Sequence, residues 1–462
     1  MRENRQRSRD DLMLEASIPK TIVKMALPTI VAFLINSIYS LTDTYFVHFL
    51  GTNATAAVSV NASLDQLIMM AGSLMAVGAA SFVSRLLGAK NQEKASQVLS
   101  TAFFCAFGFG LLVSVFGLSF LRPLVYLLGA TPTCDRFATQ YATYVLLVAP
   151  LMASNIVMNQ CLRSEGSAMF SMFGMGFGGI LNCVLDPIFI FSMDMGVAGA
   201  SMATAISKAA SFSILLFPYI TKRSTLSLSI RRVRFAKDIL VEVASVGSSS
   251  MFRSGLAVVS AIVLNNIAGN ISDSALAGIG VSTKVMMFPF GIILGFGTGF
   301  QPVAGYNWGA RRYDRVRESY RFSSRAAVMG ATVMGGLLAL TAHWVIALFA
   351  EADPSMESIG ALCIRLQCVA LPAHAWVAVV NMFCAGLGDA KGAVLLSTAR
   401  QGSCFLPVVY PLAWALREIG VASVQAVADI LSLILAVPII RKTLARVNAA
   451  EIEQMRNEQE PQ

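Results

Sequence analysis

Apolar residues fill this chain in long blocks, each bounded by charge, glycine or proline, that recur from about Met25 to Ile440. A bilayer core takes about 20 residues of apolar helix to cross. On that measure twelve spans are predicted, near 25–49, 56–84, 97–121, 138–161, 169–192, 197–220, 238–267, 275–305, 322–349, 359–384, 393–415 and 420–440. The pattern is that of an all-α integral membrane protein with twelve transmembrane helices. The first span follows four arginines, as a signal peptide would, but it is too long for one and lacks a small-residue cleavage site, so it is expected to be retained.

The basic residues orient these spans. The N-terminal arm, the C-terminal tail and the segments after every even-numbered span together hold 27 Lys and Arg, whereas the alternate loops hold three: Arg122, Arg136 and Arg417. By the positive-inside rule both termini are cytoplasmic and the number of spans is even. The formal net charge of +9 therefore reads as topology, and no nucleic-acid partner is implied.

The chain also repeats itself. Gly88-Ala89-Lys90 matches Gly309-Ala310-Arg311, each after a long span, at an offset of 221 residues. Pro150 with Pro372, Pro187 with Pro411, and Gly196-Val197-Ala198 with Gly420-Val421-Ala422 keep nearly the same shift. Two homologous six-helix lobes follow: residues 25–220 (N-lobe) and 238–440 (C-lobe), joined by a cytoplasmic linker, 221–237, and flanked by an arm, 1–24, and a tail, 441–462. Because six is even, both lobes enter from the same side, which relates them by a pseudo-two-fold axis along the membrane normal. Rocking of one lobe against the other is the mechanism such a repeat suggests.

Composition narrows the chemistry. Charged residues are 13% of the chain against 56% hydrophobic, where an ordinary soluble domain carries about 25% charged; disorder and a large soluble enzyme are excluded. Eight cysteines are dispersed without a close CxxC pair, and three histidines, His48, His343 and His374, have no surrounding ligand cluster. Neither a disulfide framework, nor a metal site, nor a cofactor is indicated.

Ionisable groups at bilayer depth are costly and mark function. Asp43 closes a polar stripe in span 1 that includes Asn36, and Asp186 in span 5 lies one helical turn after Asn182, so amide and carboxylate share a face. Pro187 then removes a backbone donor and frees the carbonyl of Cys183. With Thr204 in span 6, this makes an oxygen-rich spot suited to a proton or a hard monovalent cation, H⁺ or Na⁺. Pro28 in span 1 can act as a kink or hinge, and Met175 and Met287 can supply an adaptable apolar surface to a cavity. Lys208, Arg253, Lys284, Arg365 and Arg400 have no partner in sequence, and Asp65 and Asp429 are further acids near span ends or interiors. Arg253 and Lys284 are expected to face the cleft, where positive charge disfavours a second cation site.

These residues resemble the multidrug and toxic compound extrusion (MATE) family over nearly the whole chain. The resemblance rests on Met25-Ala26-Leu27-Pro28, on Leu50-Gly51-Thr52 with Ala56-Ala57-Val58-Ser59, on Gly88-Ala89, on Leu181-Asn182-Cys183-Val184-Leu185-Asp186-Pro187-Ile188-Phe189, and on Gly196-Val197-Ala198-Gly199-Ala200. It implies a cation-coupled antiporter of the bacterial inner membrane that expels amphipathic, often cationic, organic compounds. It also implies a coupling site at Asp43, Asn182, Asp186 and Thr204, neighbouring polar residues Asn36, Tyr141 and Asn159, and a bending proline at Pro28. The chain departs from the NorM-type branch, which places acids in spans 7 and 10 where this sequence has Arg253 and none from Leu362 to Gly386. Coupling should then fall on the first lobe, and the likeness is to MepA-like pumps.

A flippase for lipid or polyprenyl-linked precursors is the second reading, kept open by Arg253, Lys284 and Arg365. An enzyme is not expected, since no nucleophile, base and orienting group cluster on adjacent spans. Partners are small organic substrates and membrane lipids. With a cleft complete in one chain, a monomer is the expected state.

Overall fold

A computed structural model of the chain describes residues 9–347 and 354–459; Arg2, Arg5 and Arg7 of the N-terminal arm lie outside them. The described residues are nearly all helical. The long helices of the first half are α1 (Ile18–His48), α2 (Thr52–Gly88), α3 (Gln92–Ser119), α4 (Asp135–Ser164), α5 (Ala168–Pro187) and α6 (Gly196–Ile220). Those of the second are α7 (Lys237–Ile271), α8 (Asp273–Gly309), α9 (Tyr313–Ala347), α10 (Pro354–Gly386), α11 (Ala390–Thr398) and α12 (Leu406–Gln459).

Proline and a left-handed residue shape the exceptions. α5 stops at Pro187 and passes into a π-helical turn, Ile188–Ser192, as expected where a backbone donor is missing. α12 is two limbs that break at Arg417, whose φ is 47°. Its first limb completes the eleventh span and its second forms the twelfth. α1, by contrast, runs unbroken through Pro28.

Helix neighbours reveal the internal symmetry. α2 packs on α4, α3 on α4, α4 on α6 and α1 on α5; adding six to each number gives α8 on α10, α9 on α10, α10 on α12 and α7 on α11, all of which are also packed pairs. The contacts between lobes, α1 with α8 and α2 with α7, exchange under the same operation. This is the signature of two lobes related by a pseudo-two-fold axis.

The repeated Gly-Ala motif sits where the lobes cross. A Cβ at Gly88 would stand 2.0 Å from the Tyr306 carbonyl oxygen, and one at Gly309 would stand 1.9 Å from that of Arg85. Only glycine permits these reciprocal approaches. Each motif then ends its helix with a left-handed residue, Lys90 or Arg311, both at φ 59°. Nearby, a Cβ at Gly299 would meet the Cα of Ala26 at 2.5 Å. At mid-depth the approach is looser, since a Cβ at Gly291 would meet only Ser37 Oγ at 3.6 Å and one at Gly255 only Met70 Sδ at 3.7 Å. The lobes are thus joined tightly at the end that carries residues 9–17 and less tightly away from it.

The start of the chain straps this joined end. Arg9 Nη1 reaches Glu165 of the N-lobe at 3.2 Å, and Asp10 bonds Tyr306 of α8. Asn307 donates to the Met13 carbonyl at 3.2 Å and Arg315 to that of Ala16 at 2.7 Å. Met13 itself is fully buried.

Candidate functional site

Within the N-lobe, α1, α4, α5 and α6 enclose a cavity of about 190 Å³ whose lining includes Asn36, Tyr39, Asn159, Met175, Asn182, Thr204 and Lys208. The 3.6-residue period explains why one helix supplies several of these. Asn36 and Tyr39, Met175 and Asn182, and Thr204 and Lys208 are each separated by whole turns of their helix.

In the wall of the cavity the Asn182 amide donates to Thr204 Oγ1 at 3.2 Å and, behind the lining, to Asp186 Oδ1 at 3.3 Å. Asp186 is fully buried and Asp43 nearly so. Tyr141 is buried and approaches Thr204. Asn159 donates to the Ser171 carbonyl at 3.2 Å, so its carboxamide is oriented from the far side.

Several buried oxygens of this lobe lack a hydrogen-bond partner: Asp43 Oδ1, Asp65 Oδ1, Asn155 Oδ1, Asn182 Oδ1 and Asp186 Oδ2. A buried acceptor without a donor costs about 1–3 kcal/mol. Among these oxygens, those of Asp43, Asp65, Asn182 and Asp186 on α1, α2 and α5 call for protons or a cation. No group of three metal-ligating side chains occurs among the described residues.

The C-lobe holds a centre of opposite character. Arg400 is paired with Asp429, Nε to Oδ1 at 2.6 Å, and its guanidinium lies over the Phe290 ring at 4.3 Å. This corrects the expectation that Arg400 is unpartnered; its carboxylate comes from α12, 29 residues onward, a separation that no helical spacing rule can detect. Phe290 meets His374 edge-on at 5.1 Å, and Gln425 donates to Asp429 at 3.4 Å. Arg253 donates to Ser250 at 3.3 Å. Arg253 and Met287 therefore belong to the second lobe, apart from the N-lobe cavity, and Met287 is 40% exposed on α8.

Lys208 and Tyr39 line the cavity, yet neither they nor Asp65 stands out in the sequence as a site residue. The available signal was spacing: Lys208 is one turn beyond Thr204, and Asp65 one turn before Met69, which also lines the cavity.

A single family model, MatE, matches this chain twice, over residues 28–188 and 250–414, once in each lobe. The chain belongs to the MatE family. A MatE protein is a membrane transporter and not an enzyme. Among relatives, the multidrug export protein MepA of Staphylococcus haemolyticus (strain JCSC1435) is 26% identical over 445 residues, covering 95% of this chain and 98% of its own. Among solved structures, a MATE crystal structure in complex with MaL6 superposes with a TM-score of 0.90 at 23% identity, covering 95% of this chain and 99% of the other. The outward-facing conformation of a multidrug resistance MATE family transporter of the MOP superfamily gives 0.89 at 23% identity, covering 95% and 98%. These likenesses establish the twelve-helix MATE fold.

Proposed function

We propose that this MatE transporter is a proton-coupled multidrug antiporter that exports amphipathic organic cations by alternating access. The observation that carries this reading is the group of unpartnered buried acceptors on Asp43, Asp65, Asn182 and Asp186 in the N-lobe, in a protein whose lobes are tied at one end. The basic bias of the termini-bearing side makes that side cytoplasmic. The state described is then closed toward the cytoplasm.

Exchange follows from competition for the carboxylates. When they are ionised, a substrate cation is held against them; when protons arrive from outside, that attraction is lost and the compound leaves. A tenfold loss of substrate affinity on protonation needs only about 1.4 kcal/mol of differential interaction. Asp186 and Asp43 carry the proton, Asn182 and Thr204 fix the Asp186 carboxyl, and Pro28 lets α1 flex as it responds. Support from relatives lies in the export function that the Staphylococcus protein's name carries.

The test is efflux of a fluorescent organic cation from proteoliposomes, with a pH gradient and a sodium gradient imposed separately, for the wild type and Asp186→Asn. Export driven by the pH gradient alone, and absent in the variant, is the expected result. Export driven only by sodium would replace the coupling ion, and wild-type export by Asp186→Asn would remove the site.

A further inference from the structure

Lys208 is the unexplained charge of the N-lobe. It projects from α6 into the cavity lined by Tyr39, Asn182 and Thr204, and its Nζ stands 5.2 Å from the centroid of the Tyr39 ring. That geometry is a cation–π contact inside a low-dielectric setting. Outside the cavity lining, Asp43 of α1 and Asp65 of α2 are the acids whose charge bears on this ammonium, and each has a buried carboxylate oxygen without a hydrogen-bond partner. The cavity therefore holds a fixed positive charge, seated on an aromatic face beside the Asn182 amide and the Thr204 hydroxyl.

Charge matching gives Lys208 a role that packing does not. A lysine that only filled space would gain more from an apolar side chain of its length, because a charge at bilayer depth is costly. A lysine that snorkelled would point to the headgroups; this one points into the protein. Two monovalent cations confined to a cavity of about 190 Å³ repel each other strongly at an effective dielectric near 20.

We infer that Lys208 is a tethered counter-cation: it neutralises Asp43 and Asp65 in the substrate-free state, must be displaced by the cationic group of an exported compound, and keeps Na⁺ out of the N-lobe. Lys208 and Asp65 are thus specificity-determining residues. The inference deepens the export reading and rests on it for the substrate; the exclusion of sodium stands on the cavity alone. It also gives a physical reason for the coupling ion to be a proton, which joins a carboxylate directly and leaves the ammonium in place.

The experiment uses the purified full-length protein in nanodiscs, with tetraphenylphosphonium as the probe cation and choline as the replacement for sodium. In the wild type, exchanging choline for sodium should change neither probe affinity nor thermal stability. Lys208→Met and Lys208→Gln should bind the probe about tenfold more tightly, equivalent to about 1.4 kcal/mol, and should gain sodium-dependent stabilisation and sodium competition. Lys208→Arg, which keeps the charge, should behave as the wild type, and Asp65→Asn should weaken probe binding. Unchanged affinity in both neutral variants, or saturable sodium stabilisation already present in the wild type, would overturn the inference. The sodium arm needs no drug, so a wild type that binds and exports no organic cation would defeat the export reading while sodium stabilisation still decides the role of Lys208.

Discussion

Arg400 and Asp429 form a buried ion pair, 2.6 Å between Nε and Oδ1, that ties the π-helical turn after α11 to the second limb of α12. The Asp429 side chain is 2% exposed and that of Arg400 18%, so neither charge is freely hydrated. Phe290 and His374 complete this polar cluster of the C-lobe, with the guanidinium 4.3 Å from the Phe290 ring centroid and the His374 ring 5.1 Å from that of Phe290. One lobe thus presents unpartnered acceptors while the other has its principal acid already neutralised.

Breaking this pair from one side strands a charge. Removal of one member of a buried pair costs about 3–5 kcal/mol, whereas removing both together often costs little. Asp429→Asn and Arg400→Met should each lower the unfolding temperature of the detergent-solubilised protein, and the double variant should recover most of the loss. Additive losses in the double variant would show that the two side chains do not depend on each other.

The strap at the joined end should bias the lobes. Arg315 donates to the Ala16 carbonyl at 2.7 Å and to Asn307 at 3.0 Å, contacts that tie residues 13–16 to α8 and α9. Arg315→Met removes them, weakening this end by about 1–2 kcal/mol. Spin labels at positions 90 and 311 should report a short separation in the wild type and a larger share of long separations in the variant. An identical distribution would make the strap irrelevant to closure.

Close helix contact gives a sharper steric test. Gly299 faces the Cα of Ala26 so closely that a Cβ would stand at 2.5 Å, while Gly330 on α9 faces nothing within 4 Å. Gly299→Leu should abolish export with the protein still inserted, because backbone on both sides cannot give way. Gly330→Leu should stay within about 0.5 kcal/mol of the wild type in stability and keep its export. Equal effects would mean that the contact between α1 and α8 is not needed for the cycle.

Periodicity and repetition made the architecture readable in advance. Blocks of apolar residues placed the helices, and the offset of 221 residues aligned Gly88 with Gly309, which the fold brings to reciprocal crossings. The four-residue spacing of Asn182 and Asp186 put both on one face, where their hydrogen bond of 3.3 Å is found. What spacing cannot reveal is contact between helices distant in the chain. Arg400 with Asp429, and Lys208 with Tyr39, are set by how the turn after α11 packs on α12 and how α6 meets α1, so Arg400 and Lys208 look unpartnered in sequence. The break at Arg417 was equally hidden, because a left-handed arginine leaves no mark in hydropathy.

The link from Asp186 through Asn182 to Thr204 makes a prediction about pH. An ionised carboxyl attracts a substrate cation and a protonated one does not, so wild-type affinity for an organic cation should rise with pH through the titration of the N-lobe acids. Each coupled proton contributes at most a tenfold change per pH unit. Asp186→Asn is neutral at every pH: it should bind weakly throughout and show a slope shallower by one proton. Asn182→Leu keeps the carboxyl but removes its donor, leaving Asp186 Oδ1 and Thr204 Oγ1 without the bonds they now accept, at a cost of about 1–3 kcal/mol. Because that loss falls on the ionised form, the pH at which affinity rises should move upward in Asn182→Leu, with the slope unchanged. Equilibrium binding of a fluorescent cation across pH separates the two variants. The same shift in slope for both, or no shift for either, would show that Asp186 is not the proton carrier that this hydrogen-bond chain holds in place.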